Sequence, residues 1–115
     1  MARFRYSLQG ILDIKIKMET QAKQEFSEAI GVLNDENNRL RDCVERKRDL
    51  EEEGESLLKG RLDFRKISDN KLSLSLQDER IERQKDQVKK AEKNMEKARE
   101  NLSEVMIDRK TYENL

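Results

Sequence analysis

Apolar residues return along this chain in steps of four and three. In the first half, Leu8, Leu12, Lys15, Glu19, Ala22, Phe26, Ala29, Leu33, Glu36, Leu40, Cys43, Lys47, Leu50, Gly54 and Leu57 form such a ladder, and ten of the fifteen positions are apolar. The step averages about 3.5 residues, the period of a left-handed coiled coil. Ile11, Ile14 and Met18 make a second stripe, offset by one position. It widens the apolar face of the first turns or marks a local change of register. A second ladder runs through Leu74, Gln77, Ile81, Gln84, Val88, Ala91, Met95, Ala98, Leu102, Val105, Arg109 and Tyr112, with nine of twelve positions apolar. No proline interrupts either ladder. The pattern predicts two long helices.

Between the ladders lies GESLLKGRLDFRKISDNKLSL, residues 54–74. Gly54 and Gly60 each weaken a helix by roughly 1 kcal/mol relative to Ala. Ser68, Asp69 and Asn70 compete for local backbone hydrogen bonds and favour a turn or an N-cap. The expected organisation is a single all-α antiparallel coiled-coil hairpin spanning 1–115, with helix one over about 3–57, a bend over about 58–70 and helix two over about 71–115. A bend centred on Phe64 sets Leu40 by Val88, Leu33 by Met95 and Phe26 by Leu102. It also leaves Leu8 and Leu12 with little cover from helix two, so the first turns are expected to pack on something else.

Composition agrees with rods rather than layers. Charged residues make up 43% of the 115 residues, apolar residues 34% and aromatics 4%, with no Trp, Pro or His. Too few large apolar side chains are present for a layered core, and such usage with this periodicity reads as coiled coil. Basic and acidic residues balance at 25 each. That leaves no global field for nucleic acid or an anionic membrane. Residues 1–23 nevertheless carry five basic against two acidic side chains, and 35–55 carry nine acidic against five basic. This polarity suits the orientation of a protein partner. The lone Cys43 excludes an internal disulfide and fits a reducing compartment. Asp13, Lys15 and Lys17 break any signal-peptide core, and no apolar run approaches the ~20 residues of a membrane helix. A cytoplasmic protein is expected.

Candidate chemistry is sparse. Glu92, Glu96, Glu100, Glu104 and Asp108 recur every fourth residue, with Lys89, Lys93 and Lys97 three before the first three of them. That row is read as a solvated, salt-bridged face rather than a metal or acid–base site. KKAEKNMEKARE lacks the aromatic interleaving of a nucleic-acid binder. Neither a phosphate loop nor a nucleophile elbow nor a metal signature is present, so no enzyme activity, cofactor or metal is expected. The rival reading is a structural coiled coil, a parallel homodimer acting as scaffold or spacer. Phe4, Leu8, Ile11, Leu12, Ile14 and Met18 are the leading candidates for contact with a partner, because exposed apolar faces mark interaction sites, and Arg3 and Arg5 beside them can pair with acidic residues of that partner.

FRYSLQGILDIK at the start, followed by a long charged helix, resembles the FliJ family, the coiled-coil component of the bacterial flagellar type III export apparatus. Phe4, Arg5, Leu8, Ile11, Leu12 and Ile14 carry the likeness. RKTYENL, with Arg109, Lys110, Tyr112, Glu113 and Leu115, resembles a stretch late in that family's second helix. Family members usually run on beyond this point, so helix two is short against the family pattern. The resemblance implies a cytoplasmic, non-enzymatic protein of flagellum biogenesis and motility, peripheral at the inner membrane. It would bind and stimulate the hexameric export ATPase and link it to the membrane export gate and to substrate chaperones. On that reading Phe4, Arg5, Leu8, Ile11, Leu12, Ile14, Arg109, Lys110 and Tyr112 contact the ATPase. Leu58, Leu62, Phe64, Leu72 and Leu76, around the bend, contact the gate.

Overall fold

The computed structural model describes the backbone from Ala2 to Leu115, and the side chains of Arg5 and of residues 7–115. It contains two helices, α1 over Ala2–Leu57 and α2 over Phe64–Glu113, and no strand among the described residues. The chain divides into two units, each an antiparallel pairing of a piece of α1 with a piece of α2. One combines Met1–Leu33 with Ala91–Leu115, and the other spans Asn34–Lys90.

The ladder of α1 is its inward face. Each of its fifteen positions from Leu8 to Leu57 is buried or half-buried, and every other described side chain of α1 is exposed. On α2 all twelve ladder positions are likewise withdrawn from solvent. The seam is thin. Ala22, Leu50, Ile81, Val88 and Ala91 are its buried apolar residues, and no described large side chain is sealed off completely. With so little apolar burial, the polar positions weigh heavily on which pairing wins.

In the Asn34–Lys90 unit, amides fix that pairing. Asn70 Nδ2 donates to the Leu50 carbonyl at 2.9 Å, Gln77 Nε2 to the Cys43 carbonyl at 2.9 Å, and Gln84 Nε2 to the Glu36 carbonyl at 2.9 Å. Donors on α2 and acceptors on α1 both repeat every seven residues, so one register satisfies all three. A carbonyl oxygen has two lone pairs and accepts these bonds beside its own helical one. Gln84 also reaches the Glu36 carboxylate at 2.7 Å, and Lys47 pairs with Asp78 at 2.7 Å. A bend centred on Phe64 would have set Gln77 beside Glu51, and Leu40 beside Val88. The observed pairs are displaced toward the start of α1, because the connection is shorter and earlier than its composition suggested.

That connection occupies residues 58–63. Leu58 and Lys59 donate back to the carbonyls of Glu55 and Ser56 at 3.2 Å, tightening the end of α1. Gly60 then adopts φ +75°, where a side chain is disfavoured. Asp63 caps α2, its Oδ1 accepting from the amides of Arg65 at 3.1 Å and Lys66 at 3.3 Å. Helix two therefore starts at Phe64 and not near 71. The Ser68–Asp69–Asn70 cluster that read as a turn is helical, since the side chain of Asn70 is spent across the seam on Leu50. Gly54 is no breaker either. It sits inside α1, where a Cβ would stand 2.6 Å from Asn70 Oδ1. Its bare backbone leaves room for the amide.

Gly60→Ala meets no atom within 4 Å, so its cost is purely that of the backbone conformation. The expected loss is about 1–2 kcal/mol of unfolding free energy, measured by urea titration of the helix signal. An unchanged midpoint would mean that the turn relaxes to negative φ.

Candidate functional site

In the unit built from Met1–Leu33 and Ala91–Leu115, the offset stripe faces water. Ile11 is 37% exposed, Ile14 58% and Met18 45%. Their spacing of three and four residues puts them on one flank of α1, beside the seam rather than in it. Leu8 and Leu12 are half-buried at seam positions, and Arg5 is exposed. The Phe4 side chain lies outside the described residues. A shallow groove continues this flank, floored by Met18, Ala22 and Val105 and edged by Gln21, Glu25 and Asn101.

The basic end of α2 is less free than its sequence suggests. Arg109 is half-buried; its Nε donates to the carboxylate of Glu19 across the seam, and its Nη1 donates to Glu113 at 2.6 Å. Lys23 adds a second cation to Glu19 at 3.4 Å. Lys15 meets Asp108 at 2.7 Å and stands over the Tyr112 ring, 5.1 Å from its centroid. Lys110 alone of the three named residues here is exposed. Asp108 thus leaves the solvated acidic row to pair across the helices, while Glu96 holds Arg99 at 2.6 Å along its own helix. Sequence reasoning missed the Glu19–Arg109 and Lys15–Asp108 pairs. The signal was four charged positions in the α1 ladder. Glu19, Lys15, Glu36 and Lys47 each found a partner on α2.

Three of the charged groups in the α1 ladder are shifted by their partners. Burial pushes the Glu19 carboxyl up, but the hydrogen bonds and charges of Arg109 and Lys23 outweigh it, and the group lies below its ordinary value. The hydrogen bond to Asp108 raises the Lys15 ammonium against the opposing pull of burial, and Asp78 raises Lys47 in the same way. A depressed carboxylate stabilises the fold above its unfolded value and loses that contribution as pH falls through its folded one. A raised lysine stabilises below its unfolded value and loses that contribution as pH rises through its folded one. The helix signal is therefore expected to be flat from about pH 5 to pH 10, and to melt more readily beyond either limit. Glu19→Gln should shallow the acid limb in pH-dependent thermal unfolding. An acid limb identical to that of the unaltered chain would show that Glu19 is not its source.

In the Asn34–Lys90 unit, Leu58, Leu62, Phe64, Leu72 and Leu76 are all exposed, Phe64 most at 77%. Leu72 and Leu76 lie one turn apart on α2, away from the seam positions Asn70, Gln77 and Ile81. A groove lined by Arg46, Leu50, Ser73, Leu76, Gln77 and Arg80 runs beside them. Cys43 is free and half-buried, its carbonyl occupied by Gln77. Among the described residues there is no group of side chains suited to a metal ion, and no helix is long and apolar enough to cross a membrane.

A seam pinned by amides and ion pairs, with large apolar side chains left outside it in each unit, defines a two-helix coiled-coil hairpin. The family model described as Flagellar FliJ protein matches residues 4–115. The chain belongs to the FliJ family, and so to the components of the flagellar export apparatus. Comparison with curated proteins and with solved structures gives no match.

Proposed function

We propose that this chain is a non-enzymatic export component that binds and stimulates the hexameric export ATPase, and links it to the membrane export gate and to substrate chaperones. The observation that carries the reading is the exposure of Ile11, Ile14 and Met18 beside the FliJ-like opening of the chain. Burying the exposed part of such side chains against a partner contributes about 0.5–2 kcal/mol each. Arg5 and Lys110, both exposed in the same unit, supply cations for acidic loops of the ring. The five exposed apolar residues around the bend support a separate contact with the cytoplasmic part of the gate. The protein works at the cytoplasmic face of the membrane, held there by these partners, and contributes contacts rather than bond chemistry.

Titration of the chain into its cognate export ATPase, following ATP turnover together with complex mass, tests the reading. Stimulation accompanied by ring assembly is expected. Neither binding nor stimulation, together with a doubled mass of the free chain, would return the scaffold homodimer as the better account.

A further inference from the structure

Charge fastens the final turns of α2 to the opening turns of α1. Lys15 holds Asp108 at 2.7 Å, and Arg109 spans from Glu19 on α1 to Glu113 on α2. The Tyr112 ring lies under the Lys15 ammonium. In the Asn34–Lys90 unit one ion pair, Lys47–Asp78 at 2.7 Å, is joined by three neutral amide donors, which neither salt nor a partner's charge can titrate away. Leu12 stands one turn before Lys15, so the antiparallel register sets it by Tyr112 and the turn that follows. Leu8 lies one turn further, and both leucines are half-buried. Ile11, Ile14 and Met18, on the flank, are already exposed.

We propose that residues 108–113 form a charge-held strap over the turns carrying Leu8 and Leu12, so that the apolar face of this unit has a narrow and a broad form. The narrow form presents Ile11, Ile14 and Met18. The broad form adds Leu8, Leu12 and Tyr112. The inference rests on the reading that this face docks on the ATPase, and it adds that the broad form is the one that docks. The outer half of the fastening is open to competition: the Asp108 and Glu113 side chains are 44% and 52% exposed, whereas that of Glu19 is 8% exposed. An acidic segment of the partner can take Arg109 in exchange for Glu19. The exchange leaves no orphaned charge, because Glu19 keeps Lys23 at 3.4 Å. The Lys15–Asp108 pair, with its carboxylate 44% exposed, costs little to displace. The more buried Arg109–Glu19 pair opens only when a partner carboxylate replaces Glu19, since a buried pair broken without replacement is strongly unfavourable.

Spin labels at Ser7→Cys and Lys110→Cys, on a Cys43→Ser background, report the strap. Labels at Asp42→Cys and Glu79→Cys report the amide-pinned unit as a control. With native charges at low salt the Ser7–Lys110 distance distribution should be narrow. In Glu19→Gln combined with Asp108→Asn it should broaden at least about twofold and lengthen while the control pair stays unchanged, and 1 M salt should move the native protein the same way, the Debye length there being about 3 Å. The neutralised protein should reach half-maximal ATPase stimulation at a severalfold lower concentration, since apparent affinity rises with the competent fraction. A neutralised protein that keeps the narrow distribution overturns the strap, whatever the ATPase does. Opening with equal half-points overturns the claim that the broad form docks. Opening without stimulation by either protein sinks the docking reading and leaves the strap in place.

Discussion

Ile11→Asp combined with Ile14→Asp abolishes stimulation of the export ATPase while leaving the helix signal intact. The two side chains are 37% and 58% exposed, off the seam, so a carboxylate at either position needs no buried partner. Burying the exposed part of each isoleucine on the ring contributes about 0.5–2 kcal/mol, and losing both weakens binding by about ten- to a hundredfold. The more obvious pair, Leu8→Asp with Leu12→Asp, is a poorer test. Both leucines are half-buried in the seam, and two charges there would loosen the hairpin as well as the contact. Leu72→Asp with Leu76→Asp serves as the matched control: it alters an equally apolar face in the other unit and should leave ATP turnover unchanged. Stimulation by a folded Ile11→Asp/Ile14→Asp protein at the concentration of the unaltered chain would remove this flank from the docking surface.

Gly54→Ala should destabilise the hairpin, although alanine is the better helix former. Its Cβ would stand 2.6 Å from Asn70 Oδ1, so the amide must swing aside and its bond to the Leu50 carbonyl is lost in a buried position. An unpaired buried polar group costs about 1–3 kcal/mol, against a helix gain of roughly 1 kcal/mol for replacing Gly. The net expectation is a loss of up to about 2 kcal/mol. In an Asn70→Ala background the obstruction is gone, and the same Gly54→Ala change should instead stabilise by up to about 1 kcal/mol. The sign reversal is the result to look for in a double-mutant cycle of urea midpoints. Additive effects would mean that Asn70 has another rotamer that keeps its bond.

The inward faces were legible because a thin seam has one solution to a 3,4 repeat: a residue is either on the stripe or in water. Even the charged members of the α1 ladder, Lys15, Glu19, Glu36 and Lys47, lie where the spacing put them. What could not be read was their partners. Glu19 and Arg109 are 90 residues apart, and nothing local to either announces the other. The start of α2 failed for the same reason. Asn70 has the local preferences of a turn residue, but its acceptor is a carbonyl 20 residues back along α1. Asp63, the actual cap, has only two backbone amides to recommend it. Gly54 was misread because a glycine signals either a break or a close approach, and the approaching group came from the other helix. At the candidate site, the offset stripe Ile11, Ile14 and Met18 was visible as an excess of apolar residues over what the seam needs. The inward placement of Arg109 and Tyr112 on the second ladder was legible too, but not that Glu19 and Lys15 meet them.

Photocrosslinking from two positions in one mixture is the most direct test. A photoreactive side chain replaces Ile14 in one preparation and Leu76 in another, each combined with the export ATPase and the cytoplasmic part of the export gate. The account predicts that Ile14 yields an adduct with the ATPase and Leu76 one with the gate. Adducts from both positions with a second copy of this chain, and none with either partner, would contradict it.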